Sequence, residues 1–297
     1  MIEFINYYFI PGLVLGSIYA LAAVGVSLVF GIMRFANFAH GELMMIGGYI
    51  AYSLTQFTGL YPLLLLIPAM ALTAGVTVGV DRLFFKPLRN SKTIILVMAS
   101  FGVALMLRSL VQLIWGVEAV SFSTGVIQKP MELAGGLRIQ SKHIIIIALS
   151  LGLMLLTHII LNHTKMGKAM RAVSDSPELA RLTGIDTERV VQFTWILAAM
   201  LATAAGFFAG FDSQINSRIG FIFLLPAFAA AILGGIGSPY GAMIGGLVIG
   251  LAEELATYHW IGNDSLLSPG YKTGVAFAIM VLILLVRPQG ILKGKSF

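Results

Sequence analysis

The sequence predicts an all-α protein that crosses a membrane several times. Hydrophobic residues make up 58% of the 297 residues, charged residues make up 11%, and the mean hydropathy is +0.92. A soluble domain usually carries about 25% charged residues to cover its surface. The chain contains several almost uncharged runs, and each is at least as long as the roughly 20 residues that a membrane helix needs. They do not alternate as in a membrane β-barrel, and an open sheet cannot hydrate its edge in lipid. A soluble enzyme is therefore excluded.

The uncharged runs predict eight or nine transmembrane helices, depending on whether the pieces beside glycine-rich breaks cross completely. In chain order the runs are 4–33, 43–80, 93–114, 143–162, 190–211, 219–252 and a last one that ends at Val286; the third is interrupted only by Arg108. The second run holds two passes, because Gly59 and Pro62 mark a turn within it. The last helix has Ser268 as a candidate N-cap and Pro269 as a favoured first residue.

The basic residues predict the orientation of the chain. Thirteen of the 19 Lys and Arg residues lie in the stretches 31–42, 82–92, 162–189 and 287–297; five lie in the opposite loops and Arg108 lies within a span. The excess of Lys and Arg in cytoplasmic loops then places the C-terminus in the cytoplasm and the N-terminus on the outer, periplasmic side. Residues 1–8 carry Glu3 and no basic residue, so the first run is expected to remain as a helix rather than act as a removable signal.

Several kinds of chemistry are not expected. The chain has no cysteine, which excludes disulfides, thiol nucleophiles and cysteine-based metal sites. The net charge of +6 is scattered, without the basic patch and interleaved aromatic residues of a nucleic-acid site. The stretch 290–296 has three residues between glycines where a phosphate-binding loop needs four. We therefore predict no catalytic residue, no metal and no cofactor on this chain. An intramembrane enzyme that uses His40 and Glu42 is a weak alternative.

Glycine spacing predicts close helix packing. Small residues four apart let helix backbones approach in lipid. The pairs and triplets are Gly12/Gly16, Gly75/Gly79, Gly206/Gly210, Gly237/Gly241/Gly245 and Gly246/Gly250.

Two breaks interrupt the apolar runs, and each has two interpretations. The first contains Pro239 and predicts non-helical backbone at or near membrane depth; its candidate residues are Gly234, Gly235, Gly237, Ser238 and Gly241. Such backbone must lie against protein or a water-filled cavity, and broken helices often line translocation pathways. The second break holds Asn37, His40 and Glu42, which either cap helices at the cytoplasmic boundary or line the pathway. Arg108 is expected to snorkel or to pair with Glu253 or Glu254.

The segment 163–189 has its own helix punctuation. Ser176 can cap a helix that starts at Pro177, Glu178 suits its positive end, and Gly184 suits its C-terminus. This predicts two turns over 177–183, with Leu179 and Leu182 on one face. So short a helix is unstable alone, so its apolar face either docks on a cytoplasmic partner or lies at the lipid headgroups.

Eight short motifs, spread over nearly the whole length of the chain, resemble those of a known family. They are the stretches 16–25 (GSIYALAAVG), 37–41 (NFAHG), 166–172 (MGKAMRA), 180–185 (ARLTGI), 227–228 (AF), 234–238 (GGIGS), 241–246 (GAMIGG) and 287–290 (RPQG). With these the chain resembles the permease subunits of bacterial branched-chain amino acid ABC importers, the LivH-type branch of the binding-protein-dependent permease superfamily. Permeases for urea, sugars and nucleosides share several of the motifs, so the motifs are more specific for the superfamily than for the substrate.

The resemblance implies a type II ABC importer fold in one domain, 1–297, in the bacterial inner membrane. It also implies a second homologous permease, two cytoplasmic ATP-binding subunits, which bind and hydrolyse the ATP, and a periplasmic amino-acid-binding protein. The segment 163–189 would couple to the ATPases through Gly167, Met170, Arg171, Ala172, Asp175, Pro177, Glu178, Arg181 and Gly184. The alternatives are a permease of the superfamily for another small solute, or an autonomous secondary transporter.

Overall fold

The computed structural model describes residues 2–122, 131–133, 137–258 and 268–292. Its helices are α1 Ile2–Phe4, α2 Ile10–Met33, α3 His40–Thr58, α4 Leu66–Val80, α5 Thr93–Trp115, α6 Ser141–His163, α7 Lys165–Asp175, α8 Pro177–Leu182, α9 Thr187–Asp212, α10 Ile219–Gly234, α11 Pro239–Leu255 and α12 Lys272–Val286. Single π or 3-10 turns extend α2 and α4 and precede α12, and β1 Met131–Leu133 pairs antiparallel with β2 Leu137–Ile139.

The protein is an all-α polytopic membrane protein, as the composition predicts. Five stretches are long and apolar enough to cross a membrane by themselves: Ile2–Met33, Pro62–Leu88, Thr93–Trp115, Ser141–His163 and Thr187–Asp212. Two shorter apolar helices are Ile219–Gly234 and Lys272–Val286. Within the described residues nine helices have 15 or more residues, and the predicted number of eight or nine transmembrane crossings stays a prediction. The predicted turn at Gly59 and Pro62 lies between α3 and α4.

Helix α2 is the centre of the bundle, and nearly all of its residues from Val14 to Ile32 are buried. It packs against α9, α10 and α11. A helix that is hydrophobic on every side is buried on every side. The predicted small-residue contacts bring α2 and α11 together, because a Cβ atom on Gly250 or Gly246 would overlap the backbone of Gly16 or Ala20 respectively.

One predicted glycine pair does not pack within the chain. A Cβ atom on Gly75 or Gly79 of α4 would meet no atom of a described residue within 4 Å. The prediction of a packing face at this pair is therefore wrong for the isolated chain. Four-residue spacing puts two glycines on one side of a helix, but it does not say whether that side points inward.

The loops with most of the basic residues gather at one end of the bundle, called the α7–α8 end below. Arg34 donates to the carbonyl oxygens of Ser174 and Asp175, and Arg89 forms an ion pair with Glu188. The C-terminal tail lies there too, because its backbone N–H groups donate to the last carbonyls of α10. The other end is called the opposite end. Lys129, Lys293 and Lys295 lie outside the described residues, and which end faces the cytoplasm stays a prediction.

Candidate functional site

The segment between α6 and α9 folds into two short helices. In α8, which starts at Pro177 as predicted, the Ser176 hydroxyl accepts a hydrogen bond from Leu179 N at 3.3 Å, and Gly184 has φ +83°. The predicted two-turn helix is therefore confirmed. Helix α7 was missed, although Thr164 caps it by accepting from Gly167 N at 3.0 Å. Its signal was available in the sequence, because the buried Met170 and Val173 follow Gly167 at helical spacing.

Helix α7 is tied to the ends of α2 and α6. Arg171 Nη1 donates to Leu161 O at 2.6 Å and to Asn162 Oδ1 at 2.9 Å. Ser174 Oγ donates to Gly31 O at 2.7 Å. Gly167 is packed so closely on α6 that a Cβ atom would overlap the carbonyl of Leu161. Of the other predicted coupling residues, Ala172 and Asp175 lie on α7 beside these contacts. Helix α7 is therefore bonded directly to the ends of both neighbouring helices.

Helix α8 presents an apolar face that nothing in the described chain covers. Leu179 is 64% exposed and Leu182 is 83% exposed, whereas Ala180 on the other side is buried. Of the remaining predicted coupling residues, Glu178 lies in the first turn of α8, while Pro177 and Arg181 border a cleft of about 440 Å³ towards α9. The side chain of Arg181 donates to Thr187 Oγ1 at 3.0 Å. Whether this face docks on a cytoplasmic partner or lies at the lipid headgroups stays a prediction.

The glycine-rich break at 234–241 is the turn of a helical hairpin. Gly234 of α10 and Gly241 of α11 approach so closely that a Cβ on either would overlap the other's backbone. Residues 235–238 are outside helices, Gly235 and Gly237 have positive φ, and Ser238 caps α11. Non-helical backbone is thus present as predicted. It lies at the α7–α8 end, however, because Gly237 lies beside Gly31.

This turn also contacts the coupling segment indirectly. Asn162 Nδ2 donates to the hydroxyl of Tyr240, and the same Asn162 accepts from Arg171. A small cavity of about 100 Å³ separates the turn from α7, and Gly31, Met170, Ser174 and Gly237 line it together with neighbouring residues. The pathway role of the glycine-rich residues stays a prediction, but their position connects them with α7.

The second predicted break, residues 34–39, runs back into the bundle. Phe38 N donates to Ser100 Oγ at 3.1 Å, and Ser100 lies about 10 Å along α5 from its start. His40 packs against Gly25, about 12 Å from the end of α2. Asn37 Oδ1 accepts from Ala39 N at 3.1 Å. Helix α3 therefore begins inside the bundle, and Asn37 stabilises the turn there. Whether these residues mark the membrane boundary or line the pathway stays a prediction.

A third non-helical segment, residues 213–218, was missed by the sequence analysis. It runs inward from the opposite end: Ile215 is fully buried, bridges to Val120 through two backbone hydrogen bonds, and packs against Gly210. It leads to Gly220 at the start of α10, where a Cβ would overlap the carbonyl of Gly41 in α3. Helices α3 and α10 therefore begin side by side in the interior, which explains why 16 residues suffice for α10.

The interior starts of α3 and α10 hold an ion pair. Arg108 Nη2 donates to Glu42 Oε1, and the guanidinium lies 5.4 Å from the centre of the Phe221 ring. The prediction that Arg108 snorkels or pairs with Glu253 or Glu254 is therefore wrong. Those two carboxylates have other partners. They are the hydroxyl of Tyr19 for Glu253 and the ammonium of Lys272 for Glu254. The re-entrant course of residues 34–39 brings Glu42 to Arg108, which no local pattern predicts.

Residues 8–284 match the sequence profile of the family described as "Branched-chain amino acid transport system / permease component". The chain belongs to this family. It is a transport permease family, which is not a class of enzymes. Among the described residues of the permease, no group of three His, Asp or Glu side chains could hold a metal ion.

Relatives agree with the family over almost the whole permease. LivH of Salmonella typhimurium, a high-affinity branched-chain amino acid transport system permease protein, is 37% identical over 95% of this chain and 93% of its own length. BraD of Pseudomonas aeruginosa, described in the same words, is 34% identical over 95% and 94%. Among solved structures, PsaBC from Streptococcus pneumoniae in complex with Fab has a TM-score of 0.53 at 15% identity, covering 97% of the permease and 95% of that chain. This last likeness shows the fold alone.

Proposed function

We propose that the permease is the transmembrane subunit of an ATP-driven importer for branched-chain amino acids. It would form half of the translocation pathway, beside a second homologous permease. Family membership implies ATP-hydrolysing and binding-protein partners, here two cytoplasmic ATP-binding subunits and a periplasmic amino-acid-binding protein. The names of the relatives support the substrate class. One observation carries the coupling role: α8 has an exposed apolar face, and α7, which precedes it, is hydrogen-bonded to the ends of the spans α2 and α6.

The contacts of α7 suggest how a motor outside the chain would act on it. ATP binding would close the two ATPases and displace the α8 face that they hold. Helix α7 would follow, and its bonds to Leu161, Asn162 and Gly31 would move the ends of α6 and α2. Through Asn162 and Tyr240 the α10–α11 turn would move with them. The chain would perform no covalent chemistry, and the binding protein would supply most of the selectivity.

Reconstitution of the importer tests this function. With the second permease, the ATPases and the binding protein in proteoliposomes, we expect ATP-dependent uptake of labelled leucine, isoleucine or valine. Unlabelled urea, ribose and uridine should not compete. The permease alone should neither hydrolyse ATP nor carry leucine. Gradient-driven leucine flux through the permease alone would instead identify a secondary transporter, and ATP-driven uptake of one of the other solutes would identify another substrate class.

The orientation can be tested by single-cysteine labelling, because the chain has no native cysteine. Leu182 is 83% exposed at the α7–α8 end, and Leu60 is 51% exposed in the loop after α3 at the opposite end. We expect a membrane-impermeant maleimide to label Leu60→Cys in intact spheroplasts and Leu182→Cys only in inverted vesicles. The reverse pattern would place α7–α8 outside the cell, where no ATPase could reach it.

A further inference from the structure

The ion pair between Glu42 and Arg108 lies far from both ends of the bundle. Arg108 is seven residues, about 10 Å, before the end of α5 at Trp115. Glu42 lies two residues after His40, which packs against Gly25 at about 12 Å from the end of α2. The hydrocarbon core of a bilayer is about 30 Å thick. A charged pair at this depth is unusual in a membrane protein, and such residues commonly serve transport pathways.

The pair has unused hydrogen-bonding capacity. A guanidinium has five N–H donors and a carboxylate has two acceptor oxygens. Arg108 Nη2 donates to Glu42 Oε1, but Glu42 Oε2 and Arg108 Nε are buried without a partner in the described part of the chain. The side chain of Glu42 is 2% exposed and that of Arg108 is 23% exposed. One side of the pair is therefore open to the surface of the isolated chain.

The surface at this opening joins α5 and α10. Leu105, one turn before Arg108, is 60% exposed; Phe221, below the guanidinium, is 45% exposed; Ile222 is 46% exposed. A charged side chain within the membrane faces protein or water rather than acyl chains. In the assembled importer this face would therefore be covered by the second permease, with the pathway between the two chains.

We propose that Glu42 and Arg108 form the polar contact for the amino acid in transit. Arg108 binds the α-carboxylate, Glu42 binds the α-ammonium, and the apolar residues Leu105, Phe221 and Ile222 accommodate the branched side chain. A zwitterion carries the same two charges as the pair. It can enter between them so that each charge exchanges one partner for another and none is left unpaired. This inference rests on the proposed function and adds the substrate contact to it.

The same geometry keeps the contact short-lived. When the amino acid leaves, Arg108 and Glu42 re-form their own ion pair, so the protein replaces the ligand without exposing a bare charge. Transport requires a site that is favourable enough to enter and weak enough to leave. An arginine suits this role better than a lysine, because its planar donors can contact Glu42 and a second carboxylate together.

A doubly neutral variant separates this role from a purely structural ion pair. Replacing both members of a buried pair leaves no orphan charge and is often neutral for stability, whereas removing one is not. We expect Glu42→Gln/Arg108→Met to assemble into the importer with a melting temperature near that of the wild type. ATP-driven leucine uptake in proteoliposomes should fall at least tenfold.

Two further measurements complete the test. The matched control is Glu254→Gln/Lys272→Met, which neutralises a partly buried ion pair at the opposite end and should keep uptake within twofold. Normal uptake by the Glu42/Arg108 double variant overturns the inference. Should that variant not assemble, Arg108→Lys decides, with at least a fivefold loss expected and unchanged uptake overturning the inference. If the wild-type importer carries no amino acid, the proposed function fails instead.

Discussion

Replacing Leu182 by glutamate is expected to reduce ATP-driven uptake about 30-fold while leaving the permease folded. Leu182 is 83% exposed and lies on the α8 face that the chain leaves uncovered. An apolar hot spot in a protein interface contributes about 2 kcal/mol or more, which corresponds to this factor. A buried glutamate at the interface would add a desolvation cost. Leucine uptake and ATP hydrolysis by the reconstituted importer measure the effect, and the amount of protein in the membrane reports on folding.

Two controls make the Leu182 result specific. Leu182→Met keeps an apolar side chain of similar size and should retain uptake within twofold. Leu60→Glu places the same charge on an exposed leucine at the opposite end. ATP hydrolysis by the importer that contains this variant should equal that of the wild type. If Leu182→Glu transports as fast as the wild type, α8 is not the surface that holds the ATPase.

Replacing Gly206 by alanine is expected to destabilise the bundle strongly. A Cβ atom on Gly206 would overlap the carbonyl of Met44, where α9 crosses α3, and backbone cannot rotate away as a side chain can. Overpacking of a buried contact typically costs about 1–3 kcal/mol and occasionally more. We expect the upper part of this range, measured as a lower melting temperature in detergent and a smaller amount of folded protein in the membrane.

The matched control for Gly206 is Gly79→Ala in α4. A Cβ on Gly79 would meet no described atom within 4 Å, and alanine is the better helix former by about 1 kcal/mol. This variant should be as stable as the wild type or slightly more so. Equal behaviour of the two variants would mean that the close contact of α3 with α9 does not determine stability.

Local sequence was sufficient for the helices and their ends. The spans follow from uncharged length, because burying apolar side chains in lipid does not depend on which helix lies next to them. The boundaries of α8 follow from Ser176, Pro177 and Gly184, since capping and positive φ involve only neighbouring residues. Helix α7 has the same kind of local signal, a capping residue followed by apolar residues at helical spacing. It was therefore predictable from the sequence, although it was not predicted.

The site was predictable only in part. Asn37, His40 and Glu42 were recognised as candidates because polar residues are rare in apolar runs. Their position inside the bundle was not predicted, since the chain between Met33 and His40 could equally have run along the membrane surface. The course of residues 213–218 had a signal in its polar composition, but composition does not say whether such a segment lies outside the bundle or folds back into it.

Membership of the family, the all-α membrane fold and the ends of helices such as α8 could thus be derived from the order of residues along the chain. Only the tertiary structure decided that Arg108 meets Glu42, 66 residues away, that α3 and α10 begin side by side, and that Gly206 packs closely while Gly79 does not. The reason is physical. Spans and caps depend on neighbours within a turn or on the surrounding lipid, whereas these contacts depend on how distant helices are arranged around α2.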